Sequence, residues 1–296
     1  MTTLSTKIDF MVIVTVQHAN PNGDPLNGNR PRVTYDGFGE MSDVSIKRKI
    51  RNRLMEMEHP IFVQSDDNRV DSYRSLRERA DATLKDVDTS DKKKYQAAAC
   101  TAWLDVRAFG QVFAFKAKKG KKSEGEEDSE GVSIPVRGPV SIHPAFSVVP
   151  VLERVSSIQI TKSVSSETSE TDKRGSDTMG MKHRVDHGVY VFFGSINPQL
   201  ASKTGFSDED ADAIKEALRT LFRNDESSAR PAGSMTVHKV YWCKHNSPNG
   251  QYPSAKVHDC LKIKVKDGVE EPKSIEDYDI TFNILDGLGY EEIEGE

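Results

Sequence analysis

Cysteine is scarce in this chain: Cys100, Cys243 and Cys260 are far apart and odd in number. That count excludes a disulfide framework and is what a reducing compartment leads one to expect. Long apolar runs are missing too. Met1 to Lys7 has no basic flank leading into an apolar segment, and the run from Phe10 to Val16 is only strand-sized, so a cytoplasmic protein is expected. Glycine-rich phosphate loops of the nucleotide-hydrolase type, dinucleotide fingerprints and Ser/His/Asp motifs in a recognisable context are absent, which gives ATP and nicotinamide chemistry no support. No internal repeat or coiled-coil heptad is evident.

What is present fits a soluble globular protein. The 296 residues are enough for one large domain or two small ones, with 36% hydrophobic and 29% charged residues. A mean hydropathy of −0.59 adds the expectation of long polar loops or insertions. The net charge of −5 hides an asymmetry, because residues 270–296 carry ten acidic groups against the single Lys273. The preceding 269 residues therefore hold forty basic side chains against thirty-six acidic ones, a net of +4. Phosphate attraction depends on the local field, so a binding face on that part can be strongly positive. The acidic segment itself reads as a solvated tail, as a repeller of wrong nucleic acid, or as a surface for a basic partner.

Along the chain, Ile8 to Val16 is rich in β-branched residues and predicts a buried strand. The stretch from Asn20 to Asn29 then packs turn-forming residues so densely that neither helix nor strand can run through it. Ser42-Asp43 offers an N-cap for a helix over 44–54, with Ile46, Ile50 and Leu54 at helical spacing. Five basic side chains and no acid lie between Lys47 and Arg53, and Lys47 and Arg51 share a face. That face is a phosphate-binding candidate or a solvated basic surface. Residues 65–100 are helix-prone, and Trp103 to Phe115 is apolar with a break at Gly110. The segment 116–131, five lysines followed by five acids among glycines and serines, predicts a charged surface loop. Residues 155–188 predict a long hairpin excursion, 208–223 a helix with a Ser207/Asp210 capping box, and 237–243 a further strand. This order is compatible with a single α+β domain of RRM-like (ferredoxin-like) type carrying long insertions.

Seven segments in order carry a resemblance. They are Asn20-Pro-Asn-Gly-Asp24, Asp43-Val-Ser-Ile-Lys-Arg-Lys-Ile-Arg51, Asp105-Val-Arg-Ala-Phe-Gly110, Arg137-Gly-Pro-Val-Ser-Ile-His143, Thr178-Met-Gly-Met-Lys-His183, Thr204-Gly-Phe-Ser207, and Ala229-Arg230 before Gly233. Together they resemble the backbone subunit of type I-C CRISPR effector (Cascade) complexes, the Dvulg subtype, within the RAMP superfamily. The charged insertion and the acidic segment are less characteristic of it. The resemblance implies an RRM-like palm with a thumb hairpin at 155–188, and head-to-tail homo-oligomers along a guide RNA (crRNA). It further implies pairing of that guide with target DNA, the other CRISPR-associated subunits as partners, and neither enzymatic activity nor a cofactor.

Sequence-independent RNA binding calls for Lys, Arg, backbone amides and small side chains rather than base-edge readout. Lys47, Arg48, Arg51, Arg30 and Arg32 suit it, with Asn22 and Ser45 as small polar neighbours. Arg107, Arg137 and Arg230 stand beside small residues or turns where backbone approaches a phosphate. Met179 or Met181 at the thumb is read either as an apolar wedge between nucleotides or as ordinary packing. Type III relatives cut RNA with a loop aspartate, so Asp24 is the catalytic alternative; turn chemistry explains it equally, and no second acid stands near it at metal-binding spacing. A free-standing single-stranded RNA-binding protein is the third reading. His183 and His187, and the mirror-image pairs Cys243/His245 and His258/Cys260, are weighed as metal ligands, but their spacing is unlike that of zinc sites.

Overall fold

The structure, a computed structural model, describes residues 2–115, 132–162 and 178–296. The chain opens with strand β1 (Ile8–Ala19), short strands β2 (Gly23–Asp24) and β3 (Arg30–Pro31), β4 (Phe38–Met41) and helix α1 (Asp43–Glu56). Helices α2 (Leu76–Thr83), α3 (Lys92–Ala102) and α4 (Leu104–Phe109) precede β5 (Gln111–Phe115), β6 (Val132–Val136), β7 (Val140–Ile142) and β8 (Ala145–Pro150). Then come β9 (Val155–Lys162), β10 (Thr178–Ile196), α5 (Pro198–Thr204) and α6 (Asp208–Arg219). The last elements are β11 (Met235–Lys244), α7 (Ser254–His258), β12 (Leu261–Val265), β13 (Tyr278–Phe282) and β14 (Gly289–Glu294).

The result is a mixed helix-and-strand fold around an eight-stranded antiparallel sheet, ordered β14-β11-β1-β10-β8-β4, with β7 and β9 also paired to β10. β1 is central and loses both faces to the interior. Phe10, Val12, Val14 and Val16 join the core under α1 and α6, while Met11 and Ile13 pack on the opposite side with Val257, Leu261 and Tyr278. Burial on both faces is why its sequence is continuously apolar instead of alternating. A separate aromatic cluster of Phe62, Tyr95, Trp103 and Phe113 holds α3 and α4 against β5 and β6.

Local signals place the helices. Ser42 caps α1 by accepting the Ser45 N–H at 3.2 Å, and Ile46, Ile50 and Leu54 are fully buried beneath it. Ser207 and Asp210 close a reciprocal capping box at 3.0 and 3.1 Å on α6. That helix ends at Arg219, short of the expected 223. Thr220 turns its hydroxyl back to the Glu216 carbonyl at 2.8 Å, and the Arg53 guanidinium donates to it at 2.7 Å.

Gly110 and Gly138 explain two of the sequence motifs at once. Gly110 has φ +81°, and a Cβ there would meet the Val136 carbonyl oxygen and come within 2.8 Å of the Gly138 nitrogen. A Cβ on Gly138 would in turn collide with the Ala108 carbonyl. The two backbones touch, so neither position has room for a side chain.

Residues 270–296 are built into the fold: β13 pairs with β12, and β14 forms the edge of the main sheet against β11. Within the 155–188 excursion, β9 and β10 pair from Val155↔Val185 to Lys162↔Thr178. The charged stretch 116–131 and residues 163–177 of the excursion lie outside the described residues. Among the described residues no helix is long and apolar enough to cross a membrane.

Candidate nucleic-acid interface

α1 sorts its polar residues by face. Ser45, Arg48, Lys49 and Asn52, at i, i+3, i+4 and i+7, line an open polar cleft of about 390 Å³. Asn22 and Gly23 form one wall, Ser65 and Asn68 another, and the turn from Asn224 to Arg230 closes the third side. The turn-rich loop is fastened there by its asparagines. The Asn22 side-chain oxygen accepts the Ser42 N–H at 2.9 Å at the mouth of the helix, and the Asn20 amide donates to the Asn29 carbonyl at 2.7 Å. The Asn20 N–H donates to the Ala229 carbonyl at 2.9 Å, which joins this loop to the turn carrying Arg230.

The cleft lining carries three cations, Arg48, Lys49 and Arg230, and three carboxylates, Asp67, Asp225 and Glu226, with two of the cations drawn to one acid. Asp225 accepts from both the Lys49 ammonium and Arg230 Nε, the latter at 3.0 Å. Burial pulls the Lys49 pKa below its usual value; Asp225 opposes that and Arg230 adds to it. Burial likewise lowers Arg48, reinforced by Arg51. Arg48 spends one N–H on the Val63 carbonyl at 3.1 Å. Partly desolvated cations crowded in this way are relieved by an anion, and hydroxyls and amides beside them suit phosphodiester oxygens.

Four of the sequence-derived candidates, Asn22, Ser45, Arg48 and Arg230, therefore meet in one place. The others do not. Arg51 is nearly buried, donates to Asp105 at 2.9 Å and lies over the Phe109 ring at 5.1 Å. Asp105 also accepts the Phe62 and Val63 N–H groups at 2.7 and 3.1 Å, so this pair pins the chain after α1. Arg107 makes a two-pronged pair with buried Asp210 at 2.7 and 2.8 Å, tying α4 to α6. Lys47 pairs with Asp43 one turn back at 3.0 Å. Arg32 is 3.7 Å from Asp24, while Arg30 and Arg137 are exposed. Met181 is exposed on β10, opposite Gln159, and Met179 pairs with Thr161 in the ladder. Lys49 and Asn52 were missed by sequence reasoning, although their spacing with Ser45 and Arg48 was the signal that would have found them.

The residues weighed as catalytic or metal-binding lie elsewhere. Asp24 caps the turn after it, accepting the Leu26 N–H at 3.2 Å. His183 meets the Ser157 hydroxyl at 2.8 Å, while neither ring nitrogen of buried His187 has a hydrogen-bond partner among the described residues. The two Cys/His pairs converge on buried Asp9. His245 donates to it from Nε2 at 2.8 Å while its Nδ1 accepts the Gln251 N–H at 2.9 Å, and His258 Nε2 is 3.9 Å from the other Asp9 oxygen. Burial, then Cys260 and Asp9, push the Cys243 thiol up to about 12. Among the described residues no group of three or more His, Cys, Asp or Glu side chains is arranged to hold a metal ion.

Residues 6–283 match the family model described as CRISPR-associated protein Cas7. The chain belongs to this family. A relative from Haloferax volcanii, also described as CRISPR-associated protein Cas7, is 28% identical over 237 residues, spanning 79% of this chain and 68% of the relative. Among solved structures, a chain of a "CRISPR RNA-guided surveillance complex, pre-nicking" aligns at 17% identity over 80% of this chain and 78% of its own, with a TM-score of 0.44. A chain of a second "CRISPR RNA-guided surveillance complex" aligns at 16% identity over 80% and 69%, with a TM-score of 0.38. In this Cas7 chain, the matched region contains every residue of the cleft.

Proposed function

We propose that this Cas7 protein is the repeating backbone subunit of a type I-C CRISPR surveillance complex, gripping guide RNA by its sugar-phosphate chain in the cleft beside α1. The observation that carries the reading is the convergence of Asn22, Ser45, Arg48 and Arg230, with Lys49 and Asn52, from three distant segments on one polar cleft, where Arg48 is the cation not engaged by a carboxylate of the lining. Among the described residues of that lining there is no aromatic ring on which a base could stack. The grip is accordingly indifferent to sequence and leaves the bases to pair with target DNA.

In this reading the sheet with α1 and α6 is an RRM-like palm, and β9 with the first half of β10 is a thumb that carries Met181. Copies assemble head to tail along the RNA, a heterologous contact that does not close into a ring, so RNA length and the other CRISPR-associated subunits set its extent. The role is architectural and not catalytic. The engagement of the Asp24 carboxylate in its own turn supports this over a ribonuclease reading.

Co-expression with a guide RNA and the partner subunits, followed by sizing, tests the proposal. Several copies per RNA of defined length are expected, and Arg48→Glu should yield RNA-free, correctly folded subunit. A subunit that stays monomeric on arbitrary RNA, or cleavage abolished by Asp24→Ala, would overturn it.

A further inference from the structure

A second cationic track lies on the same side of the sheet, and here every cation is covered. Lys215, Arg219 and Arg223 follow one another at four-residue intervals along α6 and the turn after it. The next residues, Asn224 and Asp225, already line the cleft. The track is therefore continuous with the cleft wall. Its cations face carboxylates from β14 and the residue pair just beyond it. Lys215 Nζ lies 3.1 Å from both Glu291 oxygens, Arg219 donates to Glu296 at 2.7 Å, and Arg223 pairs with the second Glu296 oxygen.

The backbone of the cover is fixed by its ladder with β11 and by the Glu296 N–H donating to the Arg219 carbonyl at 3.1 Å, but the side-chain ion pairs lie at the surface. β14 is an edge strand with five of its six residues exposed; only Ile293 reaches the core, where it is partly buried. Part-exposed ion pairs of this kind are weak and screened by salt. Lys215 keeps Asp212 and Arg219 keeps Glu216 as part-exposed helix neighbours, so losing the carboxylates of Glu291 and Glu296 removes one of two opposing charges at each and the ion-pair partner of Arg223. A carboxylate on a guanidinium occupies the position that a phosphate oxygen would take.

We infer that Lys215, Arg219 and Arg223 form a second binding site for a single-stranded polyanion, and that Glu291 and Glu296 hold it closed as internal competitors. The arrangement confines a free subunit to the cleft and makes the α6 track available only when β14 is displaced or its charge is met elsewhere. The inference takes from the proposed function only the class of ligand.

The test is a salt titration of binding to a labelled oligouridylate. The wild-type chain is compared with Glu291→Gln/Glu296→Gln and with Asp267→Asn/Glu270→Gln, which changes net charge equally but removes none of these ion pairs. Arg223, released outright, should steepen the dependence of log K on log salt by about 0.7, rising to about 2 as Lys215 and Arg219 exchange their remaining part-exposed helix partners for phosphates, since each phosphate contact on a single strand adds roughly 0.7. The control should leave the slope unchanged. Adding Arg219→Gln/Arg223→Gln should erase the gain in the unmasked background while having no effect on the masked wild type. This cycle stays decisive even where loosening β14 lowers stability, because it reads a difference between two unmasked proteins. Equal slopes for the unmasked variant and the charge control would overturn the inference. Arg48→Glu run alongside reports on the cleft separately: loss of binding there with no gain from unmasking sinks the mask and leaves the cleft standing.

Discussion

The two polar faces of α1 share one short basic sequence and have opposite fates. On the cleft face, Arg48 borders open space with Ser45 and Asn52, while buried Lys49 shares one carboxylate, Asp225, with Arg230. On the flank, Arg51 is closed off by Asp105 from 54 residues further along, and Lys47 by Asp43 one turn away. Positive charge in a sequence announces a basic helix. Which charges stay available depends on the carboxylates that folding brings to them, and α6 repeats the lesson, with β14 supplying its cover.

The largest effect expected from this division is on stability. Asp105→Ala removes the buried partner of Arg51 and the acceptor of two backbone N–H groups, and should cost about 3–5 kcal/mol by chemical denaturation. A near-wild-type midpoint would mean that Arg51 is free after all, and would break the contrast. Next comes Arg48→Glu, which should leave the midpoint within about 0.5 kcal/mol while flattening the salt dependence of RNA binding by roughly 0.7 or more per lost phosphate contact. If it unfolds the chain and Asp105→Ala does not, the two faces have been assigned the wrong way round.

A smaller effect concerns pH at the base of the β9–β10 hairpin. Burial first, then Arg154, lower the His187 pKa, with Asp277 opposing. The unfolded chain takes up this proton near about 6.5 while the folded chain does not. The unfolded state thus binds more protons in that window, so stability falls as pH drops below the ordinary imidazole value, and stops falling once the folded ring is protonated. His187→Phe should shrink the loss of Tm between about pH 7 and pH 5; an unchanged loss would show that other histidines dominate. The smallest expected change belongs to Lys47→Ala. Its part-exposed i,i+4 pair with Asp43 should contribute no more than about 0.5 kcal/mol, and RNA binding should move less than in Arg48→Glu.

Much of the fold was legible because its signals are local. The run from Ile8 to Val16, the Ser42 cap and the Ser207/Asp210 box each specify an element through residues within a few positions of one another. The site was legible in part. Asn22, Ser45, Arg48 and Arg230 belong to motifs visible in the sequence and do meet, whereas Arg51 and Arg107 belong to equally visible motifs and are consumed by Asp105 and Asp210. The same kind of guanidinium serves both purposes, and no neighbour in the sequence distinguishes them. The acidic segment 270–296 taught the converse: its composition suggests a solvated tail, yet β13 and β14 pair into sheets while carboxylates of β14 meet cations of α6 and β11.

By itself, the sequence determined the central strand, the capped helices, the basic character of α1 and the family to which the chain belongs, since each depends on short-range pattern or ordered motifs. Only the tertiary structure decided that the face through Ser45, Arg48, Lys49 and Asn52 opens on a cleft while Arg51, Arg107 and the α6 cations are spoken for. The reason is physical: an ion pair joins residues that are distant along the chain, and it forms where packing of the cores, not spacing in the sequence, sets two opposite charges within a few ångströms.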